Sequence, residues 1–62
     1  MLYEIFVQVK GLEKISYGIV EATEEQAWYL AYQYAMETYE SAYTEFFQYH
    51  GDLFDNVEFW IE

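Results

Sequence analysis

The sequence contains no cysteine, no proline and no arginine, and only two lysines and one histidine. The missing cysteines rule out disulfides and thiolate zinc sites, and their absence is consistent with a cytoplasmic chain. The shortage of cationic side chains argues against direct contact with nucleic acid, because phosphate binding draws on lysine and arginine. No apolar run approaches the roughly 18 residues of a membrane span. LYEIFVQV, residues 2–9, is interrupted by Glu4 and Gln8, and no basic segment precedes it, so it does not read as a secretory signal. Anionic lipid surfaces would repel the chain. These absences together predict a cytoplasmic protein.

No linker, low-complexity tract or internal repeat divides the 62 residues, which read as one domain. So short a chain buries only about 60% of the surface its unfolded form exposes. Without disulfides or a metal, its stability must come from dense aromatic packing or from a partner chain. Aromatic residues make up 24% of the sequence and hydrophobic residues 55%, which also argues against disorder.

What is present in excess is negative charge. Twelve acids face two lysines, for a formal net charge of −10. Glu4, Glu13, Lys10 and Lys14 cancel within residues 1–14, so ten acids without a single lysine or arginine occupy residues 15–62. Such one-sided charge destabilises a compact state through self-repulsion. Its presence in so small a fold points to use, beyond the solubility that surface acids provide.

The local patterns predict an α+β fold. Residues 2–9 alternate, with Tyr3, Ile5, Val7 and Val9 on one face and Glu4, Phe6 and Gln8 on the other. Residues 15–21 alternate as Ile15, Tyr17 and Ile19 against Ser16, Gly18 and Val20, and KGLEK between the two runs reads as a hairpin loop. Gly18 inside a strand suggests a bulge or a large neighbour packed over bare backbone. Thr23 followed three residues later by Gln26 is a capping box, and Glu24 and Glu25 suit the first turn of a helix. A helix running unbroken to Tyr49 would be about 39 Å long, against about 26 Å for an eight-residue strand. The mismatch predicts a main helix over about 24–39, a break near Glu40–Ser41 and a second helical piece to about 49. The end, NVEFWIE, alternates again and reads as a third strand. A right-handed crossover then gives β-β-α-(α)-β, with a three-stranded sheet of antiparallel type in the order 2-1-3 and one face covered by the helix.

Residues 27–49 hold six tyrosines, two phenylalanines and one tryptophan, more than one helix face can hide. At 100° per residue, Ala27, Ala31, Ala35 and Ala42 form a seat on the sheet, with Trp28, Tyr39 and Phe46 beside them. Gln26, Gln33, Glu37, Glu40 and Thr44 form a wet face. Between the two lies a second ridge of Tyr29, Tyr32, Met36, Tyr43 and Phe47. Either residues 41–50 fold over that ridge, or it is an exposed aromatic interface for a partner, most simply a second copy of the chain.

Catalytic constellations are nearly absent. His50 is alone, so no imidazole pair can hold a metal, and neither Ser16 nor Ser41 lies in a nucleophile motif. HGDLFDNVE, residues 50–58, offers oxygens at Asp52, Asp55, Asn56 and Glu58, but the spacing is not that of a calcium loop and suits a turn. The expectation is a binding protein and not an enzyme, with no cofactor and no metal.

Acids interspersed with rings suit a site built for nucleic acid, with carboxylates where phosphates would lie and rings where bases would stack. Glu37 and Glu40 on the helix, with Glu45, Asp52, Asp55 and Glu58 beyond it, are the residues expected to meet such a partner. In size, charge and tyrosine and tryptophan content the sequence resembles the small acidic inhibitors of bacteriophages and mobile elements, a class of DNA mimics, anti-restriction proteins and anti-CRISPR proteins. The resemblance implies binding and inhibition of a basic host protein, a nuclease or another nucleic-acid-binding protein. It rests on no shared motif and assigns no residue a role. The alternative is a homodimeric structural or regulatory module joined through Tyr29, Tyr32, Met36, Tyr43 and Phe47.

Overall fold

Alternating side chains build three strands, and a reciprocal cap starts the helix that covers them. The computed structural model describes the backbone of residues 1–42 and 53–62 and the side chains of residues 1–41 and 55–62. Its elements are β1 (Leu2–Val9), β2 (Ile15–Glu21), α1 (Glu24–Ala42), a single turn of helix α2 (Leu53–Asn56) and β3 (Val57–Ile61). The sheet order is β2-β1-β3, with β1 antiparallel to both neighbours. This is the α+β arrangement, with α1 on one face of the sheet. Among the described residues, no helix is long and apolar enough to cross a membrane.

Thr23 and Gln26 cap α1 from both sides. The Gln26 N–H donates to Thr23 Oγ1 and the Thr23 N–H donates to Gln26 Oε1, each at 3.1 Å. Two N–H groups that would otherwise lack partners are satisfied at once. The helix then runs 19 residues through Glu40 and Ser41 without interruption. No break falls at Glu40–Ser41 itself, and the stretch directly after Ala42 lies outside the described residues. At about 28 Å, this length already matches an eight-residue strand, so no break is needed to fit the sheet. The second helical piece expected to about residue 49 lies outside the described residues. The turn expected before β3 contains the helical turn α2.

Ala27, Ala31 and Ala35 have no exposed surface, which lets the α1 backbone sit close to the sheet. Around Ala27 and Ala31 the core gathers Ile5, with Tyr3, Val20, Leu30, Phe59 and Ile61 partly buried against it. Around Ala35 it gathers Val7, Val9 and Val57, with Tyr39 packed alongside. Each fully buried aliphatic side chain contributes about 1.5–3 kcal/mol.

The flanks of α1 are closed by rings. On the β3 side, Trp28 and Tyr32 both meet Phe59 edge-on, with centroids 6.2 and 5.9 Å away. On the β2 side, Tyr17 stacks on Tyr34 at 4.5 Å. The Tyr17 hydroxyl lies 2.7 Å from Thr38 Oγ1, and Thr38 donates to the Tyr34 carbonyl at 2.8 Å. Because Thr38 spends its proton on that carbonyl, Tyr17 is the donor to Thr38.

One expectation about β2 fails. Glu4 pairs with Ile19 and Phe6 with Ser16, so two steps along β1 oppose three along β2. The extra residue is a bulge at Tyr17–Gly18, and it reverses the facing of everything after it. Ile19, expected beside Ile15 and Tyr17, lies on the helix-free face and is 69% exposed. Val20, expected on that face, packs into the core. Gly18 allows this with φ +96°, and a Cβ there would touch nothing within 4 Å. Glycine is needed here for its backbone angle, not to make room for a neighbour.

Candidate functional site

Two surfaces carry acids and rings together, one on the outward side of α1 and one on the helix-free face of the sheet. On α1, Glu24, Glu25, Glu37 and Glu40 are exposed, and none has a salt-bridge partner among the described residues. Gln26 and Gln33 are exposed beside them, as the wet face predicts. Tyr29 and Met36 also point outward, and Tyr29 is 59% exposed. Tyr32 does not join them, because Phe59 draws it down the flank of the helix. Trp28, expected in the buried stripe, sits at its rim with part of its indole in solvent. The second ridge is thus reduced to Tyr29 and Met36. Its other members, Tyr43 and Phe47, fall outside the described residues, as do Phe46 and residues 43–50 of the cover expected from 41–50.

Beside the first half of α1, an open groove of about 680 Å³ runs between the helix and the end of β2. Glu21, Glu25, Tyr29 and Leu30 line it. Glu21 already holds the Met1 ammonium at 3.0 Å, so Glu25, beside the Tyr29 phenol and the Leu30 wall, is the groove's acid without a salt-bridge partner among the described residues.

The acids expected to act together are divided by the fold. Glu37 and Glu40 follow Ala35, which packs at the Val9–Val57 end of the sheet, so Asp55 lies at the same end of the molecule. Glu58 pairs with Gln8 and projects from the helix-free face, opposite to α1. Asp55 and Glu58 line a concavity of about 350 Å³ with Lys10, whose ammonium opposes a bound cation. Asn56 is buried, and its carbonyl accepts the Lys10 N–H at 2.8 Å. Among the described residues, no three acidic, histidine or cysteine side chains gather around a metal-sized space. Glu45 and Asp52 are outside the described residues.

The helix-free face carries a cluster that the sequence reading did not single out. Its middle row is Ser16, Phe6 and Trp60, set side by side by the strand register. The Phe6 and Trp60 rings stack with centroids 5.5 Å apart. The Lys14 ammonium lies 4.7 Å from the Phe6 centroid on the hairpin loop, a cation–π distance. Phe6 is only 7% exposed although it lies on the face away from α1.

In the next row, Glu4 and Glu62 exchange both backbone hydrogen bonds, at 2.8 and 3.0 Å. They are therefore directly opposite each other, and like charges so placed cost about 0.2–1 kcal/mol. Ser16 Oγ donates to Glu4 Oε2 at 2.6 Å, and Trp60 Nε1 donates to Glu62 Oε2 at 2.9 Å. Both donors are neutral, so they orient the carboxylates without cancelling their charge. The signal was in the sequence: Phe6 and Trp60 stand in the polar phase of their own alternations, beside Glu4, Gln8, Glu58 and Glu62.

Comparison with known proteins finds no matching family, no similar curated protein and no similar solved structure.

Proposed function

We propose that the protein is a small acidic binding module that docks on a basic nucleic-acid-binding protein of the host and inhibits it by occupying the nucleic-acid site. The observation that carries this reading is the distribution of acids. Four helix carboxylates stand exposed without salt-bridge partners among the described residues, beside the outward side chains of Tyr29 and Met36, in a chain with no lysine or arginine after Lys14. Unpaired surface carboxylates steer a cationic partner from a distance, and the rings supply contact area once it arrives. Chemistry of this kind suits the partner class implied by the resemblance to small phage inhibitors.

Capture from a bacterial lysate tests the reading. The immobilised protein should retain a basic nucleic-acid-binding protein at low salt, release it at high salt, and lose it to added duplex DNA or structured RNA. Joint reversal of Glu37, Glu40 and Asp55 to lysine should weaken capture far more than Tyr29→Phe. Retention that ignores both salt and nucleic acid would remove the inhibitor reading.

The exposed Tyr29 and Met36 favour a second reading, a homodimer through the outward side of α1. Sedimentation at micromolar concentration decides it, since a monomer there ends it. Two such acidic chains would associate more tightly as salt rises, the reverse of the inhibitor complex.

A further inference from the structure

We infer that the helix-free face of the sheet is a docking site for an arginine-bearing segment of the basic partner, with a guanidinium seated between Glu4 and Glu62 and against the Trp60 ring. This rests on the proposed function and adds to the α1 surface a second contact with the same partner, on the opposite face of the sheet.

Three observations converge on that occupant. Glu4 and Glu62 are held directly opposite each other by paired backbone bonds, and each carboxylate is aimed by a neutral donor. No cation bridges them among the described residues. The Lys14 ammonium already occupies the Phe6 ring, which leaves the half-buried Trp60 ring as the aromatic surface beside the carboxylates. On the other side of Glu4 the face is apolar and open, with Leu2 66% exposed and Ile19 exposed beside Glu4.

Arginine fits better than lysine. Its planar fork can donate to two carboxylates at once while its flat side lies on an aromatic ring. The stem of the same residue, or an aliphatic neighbour in the segment, would cover Ile19 and Leu2. A second copy of this chain is the wrong occupant, because it would bring Glu4, Glu58 and Glu62 against their own counterparts with fewer cations, Lys10 and Lys14, to offset them. A nucleic acid strand is wrong for a similar reason, since its phosphates would meet those carboxylates.

The test is a titration of the isotope-labelled protein at low ionic strength, followed by amide and indole resonances. The probe is a blocked Arg-Gly-Arg-Gly-Arg peptide, with its lysine counterpart as comparison. The expected result is saturable shifts at the Trp60 indole N–H and at the amides of Glu4, Phe6 and Glu62, with arginine bound at least threefold more tightly than lysine. Glu4→Gln with Glu62→Gln should weaken binding at least tenfold, and Glu37→Gln with Glu40→Gln less than threefold. Circular dichroism checks the fold of each variant. If the first pair fails to fold, Ser16→Ala with Trp60→Phe releases the same carboxylates and should weaken binding at least threefold. Shifts centred on α1, equal losses from the two glutamine pairs, or no saturable shift would each overturn the inference. The lysate experiment separates the two levels. Capture that survives Glu4→Gln with Glu62→Gln and still yields to nucleic acid overturns the docking face and leaves the inhibitor reading standing.

Discussion

On one side of the sheet, Ile5, Val7, Val9 and Val57 meet three alanines of α1 and are sealed from water. On the other side, among the described residues, the Trp60 ring stacks on Phe6 and the Lys14 ammonium lies over it. Both sides carry large apolar residues, so hydrophobicity alone does not separate them. The polar company does. The helix side holds its few polar groups in closed hydrogen bonds, as in the Tyr17–Thr38–Tyr34 chain. The open side keeps its carboxylates charged, aimed and opposed. A face built only for stability would not hold Glu4 across from Glu62.

The sharpest way to break this comparison uses one residue type on both sides. Ile5→Ala removes buried volume against Ala27 and Ala31 and should cost about 2–5 kcal/mol in urea unfolding, enough to unfold much of so small a domain. Ile19→Ala, on the open side, should cost under about 0.5 kcal/mol. Similar losses at the two positions would mean that the open face is covered in solution.

Gly18→Ala tests the device that assigns residues to sides. An alanine at φ +96° is strained by about 1–3 kcal/mol, and the effect should appear as a lower unfolding midpoint. A neutral result would place the bulge elsewhere. Tyr17→Phe keeps the stack on Tyr34 and removes the hydrogen bond to Thr38. It should cost about 0.5–1.5 kcal/mol, read from the same unfolding curves.

The smallest effect has the opposite sign. Glu4→Gln relieves the repulsion with Glu62 and should stabilise the fold by about 0.2–1 kcal/mol at low salt, shrinking as ionic strength rises. A destabilisation would show that the carboxylate serves the fold through Ser16, and that the opposed pair is not a strained site.

Much of the fold was legible because its signals are local. The alternation in residues 2–9, the Thr23–Gln26 box and the right-handed crossover suffice for three strands, a helix start and the order 2-1-3. The phase of β2 after Gly18 was not legible from alternation. A bulge adds one residue, and one residue is half a period, so Ile19 and Val20 exchange faces. The helix break near Glu40 was a length argument that assumed helix to Tyr49, and α1 fits the sheet by Ala42. The acids of α1 stand where helical periodicity places them. The Phe6–Trp60 platform was missed because the helix drew attention to its own aromatics, while two rings in the polar phase of two strands become neighbours only through pairing across β1 and β3.

The bulge at Gly18 has a further consequence. β2 is an outer strand, and ISYGIVE is rich in residues that favour strands, the composition that invites another chain to pair along an open edge. The twist and unmatched residue at Gly18 leave only short straight runs on either side, too brief to template a growing sheet. The glycine that turns Val20 inward thus also guards the chain against edge-to-edge aggregation, a hazard that its dense aromatic content would otherwise raise.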